Sequence, residues 1–417
     1  MTARTKRNYV SALMCLIGIS STASALAGSK QNMPPTASKE EAQIVYWRMP
    51  EIEKRFMDIS ELTTPYVSSA PVDLKDGIAV GTLSSAAIDE NALVSLAKEI
   101  ATGEHGNYDS LLIAQNGKLL FESYYKRGRV DLSHPQSSAT KSFTSLALGR
   151  AIQLGYLTMD DLDKPVLNFL KQVDRASLID GADNITLRHA LTMTTGIRID
   201  EDGWKALEKD SARVKGQGEI QAILEDSDPI TKDSQVFKYG TGPQFVMQVI
   251  ESVVPGTAKA FIDNELFGKL GITNYHWRTA PSGLPESGWK VSVTARDMLK
   301  LGLLVSDNGK WNGEQLISPA YLKQATKRQV RVGDDDIFGG GDLISNQGYG
   351  YFWWGTDMTL DGQTHYAFSA QGGGGMYILL IPDFDLTVVV TAHERDDITQ
   401  QLVAKRILPL VKSAKES

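Results

Sequence analysis

Cysteine is almost absent from this chain: the only one in 417 residues is Cys15, inside an apolar stretch near the N-terminus. A lone thiol in such surroundings is a plain hydrophobic residue, so a disulfide framework, a thiolate nucleophile and a thiolate metal site are excluded. Basic residues are also in deficit, with 43 Lys and Arg against 50 Asp and Glu and no basic stripe. An acidic surface repels phosphate backbones and anionic membranes, so nucleic acid is excluded as a partner. No apolar run reaches the roughly 20 residues of a membrane span. The histidines (His105, His134, His189, His276, His365 and His393) show no paired ligand spacing, and no Gly-x-Ser-x-Gly elbow accompanies them. A metallohydrolase and a Ser-His-Asp enzyme are therefore not indicated, and no metal or cofactor is expected.

What the chain does have begins with Arg4, Lys6 and Arg7, an apolar stretch from Val10 to Ile19, and Ala25-Leu26-Ala27. This is the pattern of a secretory signal peptide cleaved after Ala27, which predicts a periplasmic or secreted protein with no membrane span after cleavage. A composition of 42% hydrophobic and 22% charged residues suffices for one large core or two coupled ones. Residues 28 to about 45, with Pro34-Pro35, read as a tether.

Periodicity predicts a helix over Asp89 to Ala101, where Leu93, Leu96 and Ile100 recur at helical spacing. The runs Ser110 to Ala114 and Lys118 to Tyr125, joined through Asn116-Gly117, predict a β-hairpin. Small and apolar residues from Ser138 to Leu154 predict a helix buried on most sides. Helical segments separated by Gly, Pro and Asp follow, including Leu187 to Met193 and Gln244 to Val254. Beyond Ser292 come a helix (Thr294 to Val305), the segment Tyr349 to Gly355, strands over Gly375 to Ile381 and Leu386 to Thr391, and a final helix from about Asp397 to Val411. The fold expected is α+β: an antiparallel sheet flanked by helices, with an inserted all-helical domain. Its parts would be a signal peptide (1–27), an N-terminal extension with one helix (28–104), a sheet domain (105–154 and 291–417) and a helical domain (155–290).

A serine three residues before a lysine on a helix places both side chains on one face, where an amine can take the hydroxyl proton. The spacing occurs at Ser95-Lys98, Ser138-Lys141 and Ser287-Lys290. The first lies on an amphipathic helix and the third among Gly and Pro in a loop. Only Ser138 stands where an irregular polar stretch (Ser133 to Ser137) meets a buried helix, whose N-terminus favours an alkoxide and disfavours protonated Lys141. A simple helix cap is the alternative. Tyr239-Gly240-Thr241, ahead of Gly242-Pro243 and an apolar helix, is a second candidate, because a tyrosine there can pass a proton to a leaving group. Packing is its alternative role. Gly372-Gly373-Gly374-Gly375 precedes a strand and would let backbone N–H groups approach a ligand, as an oxyanion hole requires, unless it is only a flexible turn.

The order Ser138-Ala139-Thr140-Lys141, then Tyr239-Gly240-Thr241, then a glycine-rich strand start resembles the serine β-lactamase and penicillin-binding protein superfamily, in particular class C β-lactamases and D-alanyl-D-alanine carboxypeptidases. Ile185 to Gly196 and Tyr349 to Trp354 are similar to further segments of that family, and the likeness spans roughly residues 108 to 410. Around Ala370 to Pro382 the chain looks most like 6-aminohexanoate-dimer hydrolases and related esterases. The resemblance implies a β-lactamase/transpeptidase-like fold and a covalent acyl-serine mechanism on a small-molecule amide or ester. Ser138 would be the nucleophile, Lys141 and Tyr239 would move protons, and the N–H groups of Ser138 and Gly373 would hold the oxyanion, with Gly372, Gln371 and Thr241 near the substrate. Two departures bear on specificity: Thr241 stands where β-lactamases usually have Asn, and Ala370-Gln371-Gly372 stands where they have Lys-Thr-Gly. The missing lysine removes a cation expected to meet a β-lactam carboxylate, unless another such as Arg395 supplies it.

Overall fold

Asn116 and Gly117 both adopt positive φ (51° and 72°), the two-residue turn whose twist matches paired strands. They join β2 (Tyr108–Gln115) to β3 (Lys118–Tyr124), as expected, within a nine-stranded sheet. The computed structural model describes residues 33–44, 55–86, 88–333, 339–394 and 397–411. The segment expected to be a signal peptide, with Cys15, lies outside the described residues.

Along the chain, β1 (Tyr66–Ser68) and α1 (Glu90–Thr102) precede the hairpin. After it come β4 (His134–Pro135), α2 (Thr140–Gln153), α3 (Leu187–Leu191), α4 (Glu201–Lys209), α5 (Gly218–Asp226), α6 (Gly242–Val253) and α7 (Ala258–Phe261). Then follow β5 (His276–Trp277), β6 (Val291–Val293), α8 (Ala295–Ser306), the small pair β7 (Lys310–Trp311) and β8 (Glu314–Gln315), and α9 (Pro319–Ala325). The chain closes with β9 (Val330–Arg331), β10 (Ile344–Tyr349), β11 (Trp354–Leu360), β12 (Gln363–Gly372), β13 (Met376–Ile381), β14 (Leu386–Ala392) and α10 (Thr399–Leu402).

The main sheet runs β1-β3-β2-β14-β13-β12-β11-β10-β9, antiparallel throughout, so β2 from the first part of the sequence pairs with β14 from its end. The central strands are buried on both faces, which explains why β2 and β13 read as apolar runs rather than alternations. Leu112, Ala114, Ile378 and Leu380 face a core shared with α2, α6 and α8. Leu111, Ile113, Leu379 and Val390 face a second core made with α1 and the C-terminal helical segment. Helices thus cover both faces.

Several expectations are refined. Residues of the N-terminal extension join the sheet, because β1 pairs with β3 (Val67 opposite Ser123). Helix α1 begins as predicted, with Asp89 accepting from the N–H of Ala92, and ends at Gly103 with φ 85°. Within 155–290 the regular elements are helices and helical turns joined by irregular chain, apart from β5, which pairs with β6 beside β4. The final helix is not one α-helix: α10 passes into a wider turn over Val403–Ile407 and a tight one over Leu408–Leu410, where Pro409 cannot continue α-helical bonding. A buried ion pair fastens α8 to β3: Arg296 donates to both carboxylate oxygens of Glu122 at 2.7 Å.

Candidate active site

Strand β4 ends at Pro135, and the chain must then turn sharply to enter α2. Ser137 adopts φ 46°, a left-handed conformation that a non-glycine residue holds only when its surroundings enforce it. Its carbonyl accepts from the Thr140 hydroxyl at 2.7 Å, and a 3₁₀ turn over Ser137–Ala139 carries Ser138 to the foot of α2. Lys141, one helical turn on, donates from Nζ to Ser138 Oγ at 3.1 Å.

The ammonium is further fixed by the loop before β6. Lys141 Nζ donates to the Gly288 carbonyl at 2.8 Å, and the same loop is stitched to α2 by Thr144 Oγ1 donating to the Ser287 carbonyl at 2.8 Å. Burial lowers the Lys141 pKa to about 8, with Glu286 pulling the other way. The loop holding the Ser287-Lys290 spacing therefore contributes its Ser287 and Gly288 carbonyls to this wall.

Tyr239 is delivered from the helical segment. The N–H of Lys238 donates to the Met193 carbonyl at 2.8 Å, and α6 starts against α3, where a Cβ on Gly242 would lie 2.0 Å from the Ala190 carbonyl oxygen. The Tyr239 ring lies under Lys141 Nζ, 4.6 Å from its centroid, and stacks on Trp354 at 5.6 Å. Although the ring is 38% exposed at the cleft, burial of its hydroxyl end pushes the pKa to about 12, while hydrogen-bond contacts to Ser138 and Tyr349 pull it down. Trp353 and Trp354 read in the sequence as core aromatics of which one could wall the cleft, and Trp354 is the one against Tyr239, whereas Tyr349, also packed on that ring, was not singled out as a site residue.

Strand β12 forms the opposite side. Gly372 abuts the turn that carries the serine: a Cβ there would fall 2.2 Å from the Gln136 carbonyl oxygen, whereas one on Gly373 would meet nothing within 4 Å. Gln371 is buried, and its amide donates to Ser369 Oγ at 2.8 Å. Ala370 has no exposed surface and belongs to the main core. Thr241 is buried with its hydroxyl 3.5 Å from that of Thr195. Arg395 lies outside the described residues.

Beside Tyr239 opens a cavity of about 250 Å³ lined by Ile197, Ile199, Trp204, Thr195, Thr241 and Gln244. A larger one of about 530 Å³, lined by residues such as Leu322, Phe368 and Pro382, touches none of the residues above, so the chemistry selects the smaller. His393 is bound to Asp109: Oδ2 of that buried carboxylate contacts His393 Nδ1 at 2.8 Å and His134 Nε2 at 3.1 Å.

The Beta-lactamase family model matches residues 102–408, a span that includes every group just described. The chain belongs to this family. No curated protein matches it, but solved structures share its fold. A Bacillus anthracis protein assigned to the 6-aminohexanoate-dimer hydrolases is 15% identical, with a TM-score of 0.58, over 90% of this chain and 97% of its own. EstCE1, a hydrolase with promiscuous acyltransferase activity, is 16% identical, with a TM-score of 0.57, over 77% of this chain and 98% of its own. A class C β-lactamase is 15% identical, with a TM-score of 0.54, over 77% and 95% respectively. As a member of the Beta-lactamase family, the chain has an antiparallel sheet with flanking helices that is the expected scaffold.

Proposed function

We propose that this protein is an exported serine hydrolase that cleaves small amides or esters through an acyl-Ser138 intermediate. The observation that carries the reading is Lys141 Nζ at 3.1 Å from Ser138 Oγ, with the ammonium destabilised by burial. Neutral Lys141 takes the Ser138 proton as Oγ bonds to the substrate carbonyl carbon. The tetrahedral oxyanion faces the N–H groups of Ser138 and Gly373, whose approach depends on Gly372 seating against Gln136. The proton then passes by way of Tyr239 to the leaving nitrogen or oxygen as that bond breaks. Water repeats the sequence in reverse on the acyl-serine. The 250 Å³ cavity, walled by Ile197, Ile199 and Trp204, takes the acyl group.

A β-lactamase or D-alanyl-D-alanine carboxypeptidase is the second reading, favoured by the family itself. Against β-lactam specificity stands Ala370, packed in the core where a cationic side chain would be needed to meet a carboxylate. A catalytically silent binding module would have no use for a buried lysine aimed at a serine. Purified protein lacking residues 1–27 should turn over a short-chain p-nitrophenyl ester with higher kcat/KM than nitrocefin. A tenfold preference for nitrocefin would make the protein a β-lactamase, and no turnover of either, with no covalent labelling, would support the silent module.

A further inference from the structure

The loop that gives its Gly288 carbonyl to Lys141 also carries a carboxylate that the hydrolytic scheme leaves unused. Glu286 and Lys141 converge on one side of Gly288: a Cβ there would stand 3.7 Å from Lys141 Nζ and 3.9 Å from Glu286 Oε1. The backbone of Glu286 is fixed at both ends, its N–H donating to the Arg278 carbonyl at 2.8 Å and its carbonyl accepting from Trp277 Nε1 at 2.7 Å. Its carboxylate also accepts from the Gly288 N–H, which ties it to the contact that holds the lysine.

Three cations face this carboxylate, Lys141 from α2 and Lys290 and Arg278 from the segments flanking β6 and β5, together with the titratable Glu219 of α5. Burial raises the Glu286 pKa, and Lys290, Lys141 and Arg278 hold the ionised form against it. Away from bulk water, a nearby carboxylate changes the stability of an ammonium more than it would on the surface.

We propose that Glu286 is a positioning residue that sets the protonation state of Lys141, and so the pH at which Ser138 becomes a nucleophile. This rests on the reading of Lys141 as the base. Ionised Glu286 stabilises the ammonium and holds the acid limb of the pH profile up. When the carboxylate is neutralised, the buried ammonium loses that support and Lys141 gives up its proton at lower pH.

The test is the pH dependence of kcat/KM for a p-nitrophenyl ester in the wild type, Glu286→Gln and Glu286→Asp. The Gln variant should move the acid limb down by about 0.5–1 pH unit, raising activity at pH 6 relative to the plateau by about 3–10-fold. The Asp variant, with its charge one methylene further away, should fall between. A limb unmoved in Glu286→Gln, whatever happens to the plateau, overturns the proposal by making Glu286 merely structural. If the Gln variant does not fold, an unmoved limb in Glu286→Asp does the same. Wild-type hydrolysis that persists in Ser138→Ala, or that shows no acid limb, sinks the Ser138 and Lys141 reading together with this one.

Discussion

Lys141 Nζ lies 2.8 Å from the carbonyl oxygen of Gly288, a residue 147 positions further along the chain. The contact joins the helix that bears the serine to the loop entering β6. It also leaves the ammonium hydrogen-bonded to a backbone carbonyl and to Ser138, with the Tyr239 ring beneath it. An amine so placed is poised to exchange its proton with the serine.

The first consequence is a pH profile. Because burial lowers the Lys141 pKa to about 8, kcat/KM should rise as pH increases through about 8 and then level off. Tyr239, held near 12, stays protonated across that range and adds no basic limb below pH 10. Initial rates on an activated ester between pH 5 and 10 check this; a profile falling between pH 6 and 9 would contradict it.

Lys141→Ala and Tyr239→Phe should each lower kcat by at least about 10²-fold, the usual cost of losing positioned acid–base help. In the proposed scheme both act on the Ser138 proton, so the double variant should lose less than the product of the single losses. Equality with that product would separate the two residues.

Gly372 and Gly373 make a matched pair. An alanine Cβ at 372 would collide with the Gln136 carbonyl oxygen at 2.2 Å and push β12 from the turn that carries Ser138, while at 373 it meets open space. Gly372→Ala should lower kcat/KM at least about tenfold. Gly373→Ala should stay within a few-fold of wild type, as measured by steady-state kinetics with thermal unfolding as the folding control.

Glu219 predicts a stability effect away from the chemistry. Burial raises its pKa to about 7, so the folded chain keeps a proton that the unfolded chain releases from about pH 4.3. Stability therefore falls as pH rises from about 4.3 to 7. Gln248 Nε2 donates to this side chain at 3.1 Å, a contact an amide oxygen can still accept. Glu219→Gln should then be more stable than wild type at pH 8, by about 1–3 kcal/mol, and little different at pH 4. Urea unfolding at the two pH values reads the difference.

How far the sequence revealed this arrangement depends on the range of the forces involved. The α1 cap at Asp89, the Asn116-Gly117 hairpin and the buried helix after Ser138 are local features with local signals, and each was legible. Strand β12 was overlooked as a strand, although Asp361 and Gly362, both at positive φ, form the same type of turn signal between it and β11. The Gly288 and Glu286 wall was not legible, because its role exists only once the loop before β6 meets α2. The same holds for Asp109, whose two histidines come from 25 and 284 positions away. The meeting of Ser138, Lys141, Tyr239 and the glycine run was expected from their order and family likeness, and the fold does bring Lys141 and Tyr239 to Ser138 and Gly372 against the turn that carries it.

The central claim is that Ser138 is the nucleophile, and covalent capture tests it most directly. Protein lacking residues 1–27 would be exposed to a fluorophosphonate and weighed intact, beside Ser138→Ala, with peptide mapping of any adduct. The account predicts one stoichiometric adduct on Ser138 in the wild type and none in the variant. An adduct on another residue, or equal labelling of both proteins, would contradict it.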